Sequence, residues 1–285
     1  MGIKSGGKIP RSIRPLGVVL LWVVAIALLV VMVFPILWML LAAFKTDNEL
    51  FLNPPPFFPR KPTLEAFQYL FTSARYMRMM LNSYVLAIMV TGVGLVLASL
   101  AAYGFSRFDI PGKGSILLVT LVLQMFPGVS LIIPYYNIMR SIGLYDTYAG
   151  LLVADASFVL PFSIWMLKSY LDTIPIDLEE AAMVDGASRL VALVRVVVPL
   201  TAPGMIATGT YVFLSTWNEY MFASILTRGG DFAPITVGIG EFFGLFTVRW
   251  SQMSALSALA SVPLMLAFVF LQRYLVEGMT AGAVK

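Results

Sequence analysis

The sequence predicts an all-α integral membrane protein with six transmembrane helices and one polar, helix-prone loop between the fourth and fifth. Three observations predict it. The 285 residues are 59% hydrophobic, only 12% are charged, and the mean hydropathy is +0.88; a soluble domain carries about 25% charge, so the bilayer must be most of this chain's solvent. The charged residues leave six long uncharged intervals between them. The polar stretch that interrupts these intervals, residues 169–198, has its own helix start and stop signals.

A spanning helix needs roughly 20 residues. Arg14 to Lys45 encloses 30 uncharged residues, Arg78 to Arg107 28, and Lys113 to Arg140 26. Asp146 to Lys168 encloses 21 with one charge, Asp155; Arg195 to Glu219 and Arg249 to Arg273 enclose 23 each. These give helices at about 16–43, 79–106, 115–139, 147–168, 199–226 and 250–273 within a single transmembrane domain, 16–275. The first is about twice the length of a signal-peptide core and no small-x-small cleavage site follows, so it reads as retained.

The tail 1–15 carries Lys4, Lys8, Arg11 and Arg14 with no acid, which puts the N-terminus in the cytoplasm; six spans return the tail 276–285 to the same side. The outer loops are then about 44–78 and 227–249. The first is rich in proline (Pro54, Pro55, Pro56, Pro59, Pro62) and reads as an extended surface path, with Thr63 capping the helix that follows. The second is too glycine-rich for a connector helix. Within the third helix, Phe126-Pro127-Gly128 with Pro134 marks a break or flexing point.

Composition also excludes chemistries. With no Cys and no His, the chain has no disulfide, cysteine nucleophile, Cys/His zinc site or histidine base. Gly2–Ile9 nearly spells a phosphate-binding loop, but it lacks the closing Ser/Thr and a preceding strand, so the chain binds no ATP itself. No cofactor or metal is expected on it, and no nucleic acid.

In the polar loop, Asp177, Glu179 and Glu180 favour a helix N-terminus. Ala181 and Ala182 leave a flat face, Gly186 suits a left-handed helix end, and Ser188 caps the next helix, which runs to Pro199. By physics alone this is either an amphipathic interfacial loop or a docking element.

Glu180-Ala181-Ala182, three residues, Gly186, nine residues, then Val196-Val197-Val198-Pro199 resembles the signature loop of ABC importer permeases, Glu-Ala-Ala-x3-Gly-x9-Ile-x-Leu-Pro, with two apolar exchanges. Trp217-Asn218-Glu219-Tyr220 and the C-terminal Gly278-Met279-Thr280-Ala281-Gly282-Ala283-Val284-Lys285 resemble the carbohydrate branch, of the maltose/trehalose kind. The resemblance implies a type I ABC importer permease fold in a bacterial or archaeal cell membrane. It implies a coupling helix whose docking residues are Glu179, Glu180, Ala181, Ala182, Asp185, Gly186 and Ala187, and a tail (Thr280, Ala281, Gly282, Lys285) that touches the ATPase. It further implies an outer loop (Gly229, Gly230, Asp231, Phe232, Pro234) facing an external solute-binding protein. The partners implied are a second, homologous permease in a heterodimer, two ATPase subunits carrying ATP and Mg, the binding protein, and a sugar such as maltose or trehalose.

Asn82, Gln124, Asp155, Asn218, Glu219 and Tyr220 are the candidates for a substrate path or a subunit interface; helix-to-helix bonding and interfacial anchoring are the competing readings for them. Asp155 lies deep enough in its span to face protein or a cavity rather than lipid. An ion-gradient-coupled transporter is the alternative function. It calls for buried carboxylates and inverted repeats, and the sequence holds one deep acid and no repeat.

Overall fold

The structure is a computed structural model that describes residues 13–227, 231–244 and 247–281, with side chains described up to Val269 apart from 13–16 and 267. Among the described residues the ordered elements are helices, in the order α1 Ile13–Ala43, α2 Asp47–Leu50, α3 Glu65–Thr72, α4 Ala74–Arg107, α5 Lys113–Leu123, α6 Gly128–Ser141, α7 Tyr148–Leu171, α8 Asp177–Val184 and α9 Arg189–Ala192. A π-turn follows at Leu193–Val197, then α10 Val198–Leu200, α11 Ala202–Trp217, α12 Met221–Leu226, α13 Ile235–Gly240 and α14 Trp250–Ala281.

Three helices are each long and apolar enough to cross a bilayer: Gly17–Ala43, Ala74–Arg107 and Tyr148–Leu171. Two further spans pass only as bent pairs, α5 with α6 at 94° and Arg189–Leu200 with α11 at 77°. The third helix is thus broken where Phe126-Pro127-Gly128 marks it, the fifth is bent where a continuous helix was expected, and among the described residues these criteria give three to five spans. Proline is the cause. Pro127 has no N–H to give, and in a continuous helix its ring would crowd the carbonyl of Leu123, the last residue of α5. Pro199 likewise cannot bond Arg195; the backbone widens into the π-turn, where Val198 N–H reaches Leu193 O instead. Pro203 then opens α11, and the Thr201 hydroxyl donates to Val197 O and Val198 O, each at 3.0 Å.

The chain forms two compact units, residues 1–68 with 249–258, and residues 69–248 with 259–285. In the first, no residue in the most apolar stretch of the α1 span is buried inside the chain, so lipid or another subunit must cover much of it. Lys45 is fully buried. Its ammonium donates to Pro56 O (2.6 Å) and Phe57 O (2.9 Å) and lies 4.5 Å from the Trp38 ring centre. These bonds fasten the proline-rich loop to the end of α1. Burial pushes the Lys45 pKa below the usual lysine value, with Glu49 acting the other way.

In the second unit α4, α7 and α11 pack together. α4 and α7 start at one end, where the Tyr148 hydroxyl donates to Asn82 Oδ1 (2.6 Å). They finish at the other, where Ala98, Ala102 and Tyr103 of α4 form a core with Leu167 and Leu171 of α7 and Leu193 and Val197 of the π-turn. α11 runs the opposite way. It begins with Gly204 against Tyr170 and ends with Trp217 edge-on to Tyr84, ring centres 4.9 Å apart. A Cβ on Gly204 would lie 2.6 Å from the Tyr170 ring, so only glycine permits this approach.

Gly204→Val is thus expected to destabilise the protein by about 1–3 kcal/mol through overpacking. Tyr170→Ala in the same chain should recover part of the loss. Thermal unfolding in detergent, followed by size-exclusion recovery, measures both.

A candidate coupling loop and a polar cavity

The loop that the sequence singles out is held by one buried ion pair. Arg107, the last residue of α4, donates from Nε to Glu179 Oε1 and from Nη2 to Ile174 O (3.1 Å), and the Tyr103 hydroxyl donates to Glu179 Oε2 (3.0 Å). The side chains of Arg107 and Glu179 are 7% and 4% exposed. Glu179 was expected among the docking residues. It is instead the anchor of α8, because both its oxygens are engaged inside the subunit, and neither Arg107 nor Tyr103 could be foreseen as its partner from spacing alone.

Glu180, Ala181, Asp185 and Gly186 face outward, and Ala182 and Ala187 are half-buried. One helical step of about 100° separates buried Glu179 from exposed Glu180. The helix ends in a Schellman motif: Ala187 N–H reaches Ala182 O (3.0 Å), Gly186 N–H reaches Met183 O (3.1 Å), and Gly186 has φ 93°. Nothing lies within 4 Å of the place a Cβ on Gly186 would occupy. Beside it Val184 is 88% exposed, the barest apolar side chain of α8, which the sequence pattern did not bring out. Ser188 caps α9, accepting from Val191 N–H at 3.4 Å, and Arg189 lies 5.0 Å from the Phe108 ring centre.

At the opposite end, Asn82 is 2% exposed and fully engaged: its amide N–H groups donate to Asp231 O and Ala233 O, both at 2.9 Å, while Tyr148 donates to its Oδ1. Asn82 therefore secures the 231–235 segment to α4 and α7. Ser83 Oγ accepts Ile235 N–H (2.8 Å), and Phe232 packs on Tyr148 with ring centres 5.0 Å apart. Arg78–Asp231 and Arg75–Glu241 are surface ion pairs that add little. Pro234 opens α13. Gly229, Gly230, Gly282 and Lys285 lie outside the described residues, as do the side chains of Thr280 and Ala281 at the end of α14.

Gln124, Asp155 and Glu219 are brought together around one cavity of about 310 Å³, with Phe158, Thr216 and Phe222. The Gln124 amide donates to Phe158 O (2.7 Å) beside the break in the third span. The Glu219 carboxylate accepts Phe222 N–H (2.7 Å) and Ala223 N–H (2.9 Å), capping α12. Asp155 is 3% exposed and neither carboxyl oxygen has a hydrogen-bond partner among the described residues. Asn218 is exposed and donates to Leu214 O (2.8 Å), and Tyr220 covers Gly240. No metal-binding group of three or more His, Cys, Asp or Glu occurs among the described residues.

A multi-helical membrane subunit with a short capped helix held at one end of its bundle has the architecture of a transporter permease, and the comparisons with known proteins agree. The chain belongs to the family described as binding-protein-dependent transport system inner membrane component, whose model matches residues 94–281. It is 35% identical to the trehalose/maltose transport system permease protein MalG of Thermococcus litoralis, over 94% of this chain and 96% of that one. It is 34% identical to the sulfoquinovosyl glycerol transport system permease protein SmoH of Agrobacterium fabrum, over 93% of each. A chain of a bacterial ABC transporter involved in the import of the acidic polysaccharide alginate shares its fold, with a TM-score of 0.80 over 94% of this chain and 99% of that one at 21% identity. The protein is a multi-pass membrane protein with the all-helical ABC importer permease fold.

Removing one partner of the buried pair, by Glu179→Ala or Arg107→Ala, is expected to cost about 3–5 kcal/mol and to loosen α8, while the paired exchange Arg107→Met/Glu179→Leu costs less. Trypsin cleavage at Arg189 and Arg195 in detergent reads the loosening: faster in either single variant, near wild type in the pair.

Proposed function

We propose that this chain is the transmembrane permease subunit of an ATP-driven sugar importer, with α8 as the element that docks on a cytoplasmic ATPase subunit. The observation that carries the reading is the way α8 is presented. A buried ion pair fixes its inner side, and a Schellman end turns Glu180, Ala181, Val184, Asp185 and Gly186 outward together. Small residues and one exposed valine rimmed by carboxylates suit close seating in a groove of another protein.

In this reading the chain has six spans with both termini in the cytoplasm, and α14 is the sixth. It pairs with a homologous permease; two ATPase subunits hydrolyse ATP with Mg on the cytoplasmic side, and this chain catalyses nothing. The 231–242 segment faces an external solute-binding protein, a partner to which the family's description as binding-protein-dependent lends support. Saccharide cargoes follow from the relatives named for trehalose/maltose and sulfoquinovosyl glycerol.

Affinity purification of the tagged chain from its native membrane, with mass spectrometry, tests the assembly: an ATPase and a second permease should come with it, and a chain that purifies without any ATPase contradicts the reading. Gly186→Asp strains the left-handed position by about 1–2 kcal/mol and adds an anion to the exposed face. The expected outcome is normal membrane insertion with loss of ATPase co-purification and of uptake. Gly186→Asn, which tolerates the conformation, should keep more of both.

A further inference from the structure

The cavity at Asp155 is built to receive hydrogen-bond donors. A buried carboxyl group whose two oxygens have no partner is costly unless something supplies donors. The neighbours do not supply them. Glu219 is engaged by backbone N–H groups, and Gln124 directs an amide N–H to Phe158 O rather than to Asp155. The Thr216 hydroxyl, also on the cavity wall and 4% exposed, has no partner among the described residues either. Among the described residues no Lys or Arg lines the cavity, so a sulfonate or uronate entering it would lose its water and find no counter-charge there. The rest of the wall is largely aromatic: Phe158 and Phe222 lie 4.8 Å apart, ring centre to ring centre, and Tyr211 stands beside Phe162. Aromatic faces combined with a few polar groups suit a small solute with apolar faces and polar edges, and about 310 Å³ lies at the small end of ligand sites, which run from roughly 300 to 1,000 Å³.

We propose that this cavity is a solute subsite of the subunit: it takes one ring of an uncharged, hydroxyl-rich solute, whose hydroxyls donate to the Asp155 carboxyl group with Thr216 beside it, and it refuses anionic sugars. The inference rests on the reading of the chain as a sugar permease, and it separates cargoes among which the relatives divide, because trehalose and maltose are uncharged whereas sulfoquinovosyl glycerol carries a sulfonate.

The natural chain has no cysteine, so Ser215→Cys places a single reporter thiol on the cavity wall. With the whole importer complex in nanodiscs, the rate of N-ethylmaleimide attachment to this chain's 215 peptide is measured by mass spectrometry with trehalose, maltose, sulfoquinovosyl glycerol or tetramethylammonium present. Trehalose or maltose is expected to slow labelling at least threefold, and sulfoquinovosyl glycerol to leave it unchanged. Asp155→Leu should abolish the protection while unprotected labelling continues, and Asp155→Asn, which keeps the shape and one acceptor, should retain part of it. Equal protection by sulfoquinovosyl glycerol, protection only by tetramethylammonium, protection that survives Asp155→Leu, or a thiol that never labels each overturns the subsite.

ATP-driven uptake of the same sugars into proteoliposomes, with the binding protein supplied, separates the two levels of the argument. Loss of the hydrogen bonds to Asp155 is expected to slow uptake roughly tenfold in Asp155→Leu. Uptake of a sugar with neither protection nor an Asp155 effect overturns the subsite and leaves the permease reading standing. Uptake of none of them overturns the sugar reading, and the subsite with it.

Discussion

In an apolar solvent every backbone N–H and C=O must find its partner within the protein, and the described part of this structure is arranged around that constraint. A long helix without internal proline, such as α4, satisfies it along its length. Interruptions expose backbone groups, and side chains meet several of them. Thr201 bonds the carbonyls at the bend before α11, Glu219 receives the N–H groups that open α12, Asn218 takes Leu214 O at the end of α11, and Asn82 holds two carbonyls of the 231–233 segment. Proline makes the breaks at Pro127 and Pro199, and polar side chains bond the backbone at the bend before α11 and at the gap before α12.

The breaks are also where the chemistry lies. The bend between α5 and α6 and the gap between α11 and α12 both open onto the cavity around Asp155, so the same irregularities that expose backbone also bring polar side chains into the interior of the bundle. At the far end of α4 and α7 the bundle is regular and tightly packed, with Gly204 on Tyr170 and the Tyr103–Leu171–Val197 core. α8 is fixed to that rigid end by Arg107 and Glu179. A push on α8 would therefore be carried by α4 and α7, each 24 residues or longer, toward the end where the cavity and the 231–242 segment lie. That is the geometry a loop needs if it is to couple an outside partner to a transmembrane path.

Much of this was legible in the residues. Composition and charge spacing determined by themselves that the chain is helical and lives in a bilayer, because an apolar run leaves a backbone few other options. They located the loop at 169–198, its left-handed Gly186, its Ser188 cap and the break at Pro127, since each depends only on a residue's own conformational preferences or on its immediate neighbours. Tertiary structure alone decided which acid of the Glu179-Glu180 pair is buried, that Asn82 is a structural tie, that Val184 is bare, and that Gln124, Asp155 and Glu219 share a wall. Those facts turn on which residues 30 to 150 positions apart come to face one another, and helical periodicity says which side of a helix a residue is on without saying what stands opposite it.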